Sequence, residues 1–248
     1  MVDGYPNNAV AVIGMACKFP GADSLDEYWQ LLDEGKSMCE PAPEGRFATT
    51  ENRRHQEKSI YNGNWVSDID AFDHKFFRKS SREAASMDPQ QRLLLQVAYQ
   101  ALESSGYFGP VEPRTDVGCY VGVCASDYND NVAAHPPNAF STLGTLRAFL
   151  TGKISHYFGW TGPSVSVDTA CSSSMVAIDA ACNAVQLDNC YSAIAGGVSL
   201  FTSPYFFQNL SGASFLSPTG PTKSFDADAD GYCRGEGSSS KRTCLRKK

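Results

Sequence analysis

The chain has 248 residues, 42% hydrophobic and 19% charged, the balance of a globular protein long enough to bury a sizeable core. Its net charge of −6 is uneven: KRTCLRKK at the end holds five of the 21 basic residues, so residues 1–240 set 16 basic against 27 acidic side chains and sum to −11. An acidic body argues against nucleic acid as the main partner, and no run of ~18 apolar residues points to a membrane span.

In chain order, AVAVIGM (9–15) reads as a buried strand. SLDEYWQLLDEG follows as a helix, with Ser24 as cap, Glu27 as its capping-box partner and Gly35 as its stop. Residues 36–64, polar and rich in Pro, Gly and Asn, read as a surface excursion. MDPQQRLLLQVAYQALESSG is the strongest helix signal: Asp88 is a natural N-cap, Pro89 suits the first turn, and Gly106 closes it. Leu93, Leu94, Val97, Ala98, Ala101 and Leu102 form one apolar stripe, which reads as core. DVGCYVGV (116–123) is a second strand, 142–158 a helical region, 164–168 a third strand, 172–188 a helix and YSAIAGGV (191–198) a fourth strand. Strands alternating with helices imply an α/β fold with a parallel or mixed sheet.

The nine cysteines (17, 39, 119, 124, 171, 182, 190, 233, 244) include no CxxC pair, so a zinc site is not expected. With no signal peptide in view, they read as reduced thiols of a cytoplasmic protein. Cys171 stands apart. It sits where the strand SVSVD turns into the helical spacing Met175, Ile178, Ala181, Cys182, Val185. Unpaired amides and the macrodipole at a helix N-terminus favour a thiolate and could hold an oxyanion. The other reading of Cys171 is a small, inert hydrophobe.

VDTACSSSMVAIDAACNAV resembles the active-site segment of β-ketoacyl synthases, the condensing enzymes of fatty-acid and polyketide assembly. AVIGMACKFPGADSLDEYW, MDPQQRLLLQVAYQALE, GKISHYFGWTGPS, AGGVSLFTSP and FLSPTGPTKSFDADADGYCRGEG extend the resemblance in family order over residues 9–237, after a leader at 1–8. FDHKFFRKSSREAASMDPQQR and GKISHYFGWTGPS are most similar to ketosynthase domains of fungal iterative type I polyketide synthases, of the non-reducing class. The resemblance implies a thiolase-like fold, a five-layer αβαβα sandwich when complete, with this chain supplying mainly the first half. It also implies a homodimer, no bound cofactor, and Cys171 as the residue that takes an acyl group from the phosphopantetheine thioester of an acyl carrier protein.

Two departures accompany it. The family uses two histidines from the second half of its domain, whereas His55, His74, His135 and His156 all precede Cys171. A chain without them is expected to lack full condensing activity, which leaves a non-catalytic remnant or pairing module as the alternative. After Gly237 the family continues into an apolar strand, but SSSKRTCLRKK (238–248) is polar and basic. It reads as an out-of-family tail, with the closing strand missing. Asp226, Asp228, Asp230 and Gly231 mimic a calcium loop, yet position 12 is Gly237 instead of Glu, so no calcium is expected. No GxxxxGK[ST] or GxSxG motif is present.

Overall fold

The computed structural model describes residues 9–47, 61–110, 112–124, 127–129 and 136–245; the expected leader at 1–8 lies outside them. Five strands form the main sheet: β1 (Val10–Lys18), β4 (Val117–Gly122), β5 (Ser164–Val167), β6 (Ser192–Ser199) and β8 (Gly237–Leu245), in the order β1-β8-β6-β4-β5. β4 runs parallel to β5 and β6, while β8 is antiparallel to both β6 and β1. A smaller sheet joins β2 (Cys39–Pro41), β3 (Asn62–Asn64) and β7 (Arg234–Gly235).

The helices are α1 (Leu25–Asp33), α2 (Ser81–Ser86), α3 (Pro89–Ser104), α4 (Ser141–Thr145), α5 (Ala148–Phe158), α6 (Ser173–Gln186) and α7 (Tyr205–Gly212). α3 and α5 cover one face of the main sheet, and α6 covers the other. The pleat of β4 sorts its side chains accordingly: Val117, Cys119 and Val121 enter the cluster with Leu94, Leu102 and Ile154, whereas Tyr120 joins Ala177, Ala181 and Val185 of α6. All six residues of the predicted α3 stripe are buried in the first cluster, with Leu95 beside them.

Local chemistry explains the helix starts. The Ser24 side chain accepts from the Glu27 amide at 3.2 Å, while the Glu27 carboxylate accepts from the amide of Asp23, one residue earlier than a capping box requires. Asp88 caps α3, accepting from the Gln90 amide at 2.8 Å. The single helical region expected at 142–158 is two helices, because Leu146 is extended (ψ 133°) and breaks the run between α4 and α5.

Three expectations are corrected. AVAVIGM does form a strand, β1, but not a buried one: it lies at the sheet edge, with Val12, Ile13 and Met15 exposed. Residues 36–64 are not simply a surface excursion: β2 and β3 bracket them as parts of the smaller sheet, and Trp65 next to β3 is buried. Nor is the closing strand missing. Gly237–Leu245 pairs residue by residue with both β1 and β6, in the middle of the sheet. Backbone pairing on two edges explains why a polar stretch forms a strand there. Its small side chains matter as well. A Cβ at Gly196 of β6 would collide with the Ser239 carbonyl, so the two strands are fitted to one another. Ser238, Ser240 and Thr243 are buried, and Thr243 Oγ1 donates to the Ala193 carbonyl at 3.3 Å. Arg242 Nη1 donates to Ser105 Oγ at 2.9 Å, and its guanidinium lies over the Tyr107 ring. Residues 246–248 fall outside the described part.

Two outcomes follow. Ser238 Oγ is buried with no hydrogen-bond partner among the described residues, so Ser238→Ala is expected to raise unfolding stability by about 1 kcal/mol in urea titration; a loss of that size would mean the hydroxyl is bonded. Asp88 is 6% exposed, and burial lifts its carboxyl from 3.8 to about 6 against the opposing Gln90 bonds and Arg92 charge. The stability its neutral form brings is therefore complete below the ordinary carboxylate range and lost as pH rises through about 6. Asp88→Asn keeps a neutral cap, so it should overtake the parent by up to about 3 kcal/mol at pH 7 and show no such lead at pH 4. An equal difference at both values would contradict the burial cost.

Candidate functional site

Cys171 lies at the carboxyl end of β5, in a 3₁₀ turn (Ala170–Ser172) that leads into α6. Its side chain is exposed. The turn is tightly tied. The Asp168 carboxylate accepts from the Ala170 amide at 3.2 Å and pairs with Arg147, whose Nη2 donates to the Cys124 carbonyl at 2.8 Å. The Ala170 bond and the Arg147 guanidinium hold Asp168 below the usual carboxylate range. Ser173 Oγ accepts from the Thr169 amide at 2.9 Å and donates to the Ala170 carbonyl at 2.7 Å, while Ser172 Oγ donates to the Thr169 carbonyl at 2.8 Å. Both hydroxyls thus hold the turn in shape. Ala170 carries φ 56°, a left-handed conformation uncommon for a residue with a Cβ and found where surrounding bonds impose it.

Two glycines make room for this turn. Gly122 ends β4 where an added Cβ would strike the Ser174 amide, and a Cβ at Gly197 of β6 would come within 2.9 Å of Ser174 Cβ. The start of α6 can therefore lie against the carboxyl ends of the parallel strands, the edge where open α/β sheets bind ligands.

Cys171 opens into a cavity of about 780 Å³. Phe19, Phe206, Leu210 and Phe215 give it apolar walls; Cys124, Cys233 and Arg234 also line it. Burial, then Asp168, pushes the Cys124 thiol up. Arg234 is 7% exposed, and its guanidinium stacks on Phe201 at 3.7 Å and on Phe206 and Phe207 at 4.5 Å each. Behind it, Glu236 accepts from Arg46 at 2.9 Å and from the amides of Val66 (2.8 Å) and Phe201 (2.7 Å). Burial pushes the Glu236 carboxyl up; the Phe201 amide and Arg46 oppose it.

The other singled-out residues fall elsewhere. His74 Nδ1 faces the Lys79 carbonyl at 2.8 Å, His156 is exposed on α5, and neither lines the cavity; His55 and His135 lie outside the described residues. In the calcium-like loop, Lys223 pairs with Asp230 at 2.6 Å and holds it down to about 2. Arg46, Arg234 and Glu236 went unremarked as individual residues in the sequence. For Arg234 and Glu236 the available signal was two opposite charges between the glycines of GYCRGEG; Arg46 has no local signal.

A layered α/β sheet with a cysteine at a strand–turn–helix junction on its carboxyl edge defines the class: it is a thiolase-like fold. The chain belongs to the β-ketoacyl synthase family, whose Beta-ketoacyl synthase, N-terminal domain matches residues 7–240. That match runs past Gly237, where the resemblance had been expected to end. The chain is 71% identical over 231 residues to the non-reducing polyketide synthase pkbA of Emericella nidulans, covering 92% of this chain and 9% of that protein. It is 68% identical over 235 residues to the non-reducing polyketide synthase Preu3 of Preussia isomera, and 60% identical over 234 residues to 5-methylorsellinic acid synthase of Aspergillus terreus, in each case 94% of this chain and 9% of the relative. The chain thus spans under a tenth of the length of these relatives, and the expected non-reducing class is met. Among solved structures, the ketosynthase from module 6 of the bacillaene synthase of Bacillus subtilis 168 superimposes with TM-score 0.83 at 30% identity, covering 95% of this chain and 40% of that one. Among the described residues, no helix is long and apolar enough to cross a membrane.

Removing the buried carboxylate tests the support of this wall. Glu236→Ala would strand the Arg46 guanidinium and two amides, and it is expected to cost about 3–5 kcal/mol in urea unfolding. A cost under ~1 kcal/mol would mean that the pair does not hold the cavity wall.

Proposed function

We propose that Cys171 is the acyl-accepting nucleophile of a polyketide ketosynthase. The observation that carries the reading is the exposed thiol on a bonded, strained turn, opening into a largely apolar cavity. The Cys171 sulfur, as thiolate, attacks the carbonyl carbon of an acyl thioester. The tetrahedral oxyanion collapses, the donor sulfur leaves and takes up a proton, and the acyl group remains on Cys171. A helix N-terminus offers backbone amides as donors for such an oxyanion, and the turn that carries Cys171 directly precedes α6. The donor this chemistry fits is the phosphopantetheine thioester of an acyl carrier domain, whose narrow arm can deliver its acyl end past Phe206, Leu210 and Phe215. In the family, decarboxylation of a malonyl thioester then supplies the carbanion that attacks the acyl-enzyme. That step needs donors for the enolate oxygen, and no histidine among the described residues lines the cavity. The 248 residues alone are therefore expected to transfer the acyl group without condensing.

A second reading, a module that pairs with another sheet–helix unit, is favoured by one observation. The outward side of α6 leaves Met175 67% exposed, and Leu187, just past its end, is 71% exposed. This reading predicts dimers or higher species in size-exclusion light scattering together with no acyl adduct on Cys171, whereas the nucleophile reading predicts the adduct whatever the oligomeric state.

Intact mass spectrometry after incubation with an acyl thioester tests the nucleophile. One acyl group per chain is expected, absent in Cys171→Ala. An adduct that persists in the variant, on Cys124 or Cys233 of the same cavity, would overturn the assignment.

A further inference from the structure

Two cysteines other than the proposed nucleophile face each other across the smaller sheet. Cys39 opens β2, Cys233 directly precedes β7, and their sulfurs are 3.5 Å apart. The residues are 194 positions apart in sequence, so only the fold brings them together. Both thiols are half-buried and free. β2 and β7 pair with opposite edges of β3, and Asn64 of β3 lies at the junction, its Nδ2 donating to the Cys233 sulfur at 3.5 Å and to the Arg234 carbonyl at 3.2 Å. The Cys233 amide is fixed in turn by Thr222 Oγ1 at 2.8 Å. Each sulfur is therefore held in place, and closing the gap to a disulfide's ~2.05 Å draws the edge strand β2 and the segment before β7 towards one another across β3.

We propose that Cys39 and Cys233 are a redox-active dithiol that small-molecule disulfides such as oxidised glutathione convert to an intramolecular disulfide. In the first exchange the Cys39 sulfur attacks one sulfur of oxidised glutathione, giving a Cys39–glutathione mixed disulfide and releasing one glutathione thiol. In the second, the Cys233 sulfur attacks the Cys39 sulfur, the Cys39–Cys233 bond forms and a second glutathione leaves as thiol. Two protein thiols are oxidised, one glutathione disulfide is reduced, and the two thiol protons end on the two glutathiones. Cys39 lies on the edge strand β2, so the first attack is assigned to it and Cys233 acts as the resolving thiol. Burial, then the neighbouring Cys39 thiol, push the Cys233 thiol up, and the Cys39 contribution ends once that sulfur carries glutathione. Proximity makes that second step intramolecular and favours it over a second glutathionylation. Cys233 also lines the cavity that holds Cys171, so the cross-link would pin one wall of that cavity to β2.

The test uses the whole chain, treated with oxidised glutathione, quenched in acid and alkylated under denaturing conditions. The expected result is a species lighter by two hydrogens, with seven of the nine cysteines alkylated and a Cys39–Cys233 linked peptide after digestion without reductant. Dithiothreitol should restore all nine. Oxidation should speed up as pH rises above neutrality, as thiolate attack requires. Cys39→Ser and Cys233→Ser should each abolish the linked peptide; Cys39→Ser changes only the outer strand and serves if the other variant fails to fold. Cys171→Ala should leave the cross-link intact, which separates this dithiol from the acyl site. Alkylation of both thiols after oxidation, a stable glutathione on each, or a link from either to another cysteine would overturn the proposal.

Discussion

The cavity wall depends on one buried carboxylate. Glu236 is bonded to the Arg46 guanidinium, to the amide that follows Trp65 and to the amide of Phe201. These three groups come from the segment between β2 and β3, from just after β3 and from the loop after β6. A charge in such a place is tolerable only because each of its oxygens is bonded and a cation lies against it. Once it is in place, the two sheets meet at fixed positions. Trp65, Phe201 and Phe207 can then form a continuous aromatic cluster, and Arg234 is laid across its rings toward the cavity. Removing the carboxylate would therefore do more than break one ion pair, because the amides it satisfies belong to the walls.

The nucleophile candidate depends on a different constraint, which is steric. α6 packs on its face of the sheet through alanines, with Ala177 and Ala181 fully buried against Ala193 and Ala195. Alanine brings the helix axis close to the sheet, and Gly122 and Gly197 remove the last obstructing side-chain atoms at the strand ends. The opposite face is filled mainly by leucines, isoleucines, valines and aromatics of α3, α5 and the strands, and there too a glycine, Gly14 of β1, admits a helix backbone closely, at Ala101 of α3. The alanines and the two glycines together let the start of α6 reach the carboxyl edge of the parallel strands. The serines of the motif read first as permissive small residues, yet they carry the bonds that hold the turn. Smallness and hydrogen bonding are two requirements that serine meets at once.

Local chemistry made much of this legible from the residues. The α3 stripe, its Asp88 cap and the strand–turn–helix at Cys171 each depend on neighbours within a few positions, and each lies where periodicity and capping place it. What was not legible depends on partners remote in sequence. The Arg46–Glu236 contact spans 190 residues and the Val66–Glu236 bond 170, and no local pattern announces either. β8 was missed for a related reason. Strand signals are side-chain signals, whereas a strand inserted between two others is held by its backbone, and SSSKRT has the amides and small side chains the slot requires without the hydrophobicity that marks most central strands. The smaller sheet is of the same kind, three strands of two or three residues each, paired across the whole length of the chain.

The two sides of α6 bear on how this unit completes itself. Its inner side is saturated by alanines, while Met175 and Val176 point away from the sheet and remain exposed. A surface helix ordinarily turns polar residues outward; α6 instead carries alanines inward and exposes Met175 and Val176 at its start. β5, at the sheet edge beyond β4, has a single partner and leaves Val165 partly exposed. An unprotected edge strand and an apolar outer helix face lie side by side, on the same elements that carry Cys171. The chain covers 40% of a solved ketosynthase that superimposes on it. The residues that would be buried by a second layer and those that hold the nucleophile are therefore neighbours on one helix. Covering the outer side of α6 and restricting access to the cavity would be coupled events, because both act on the same rigid element.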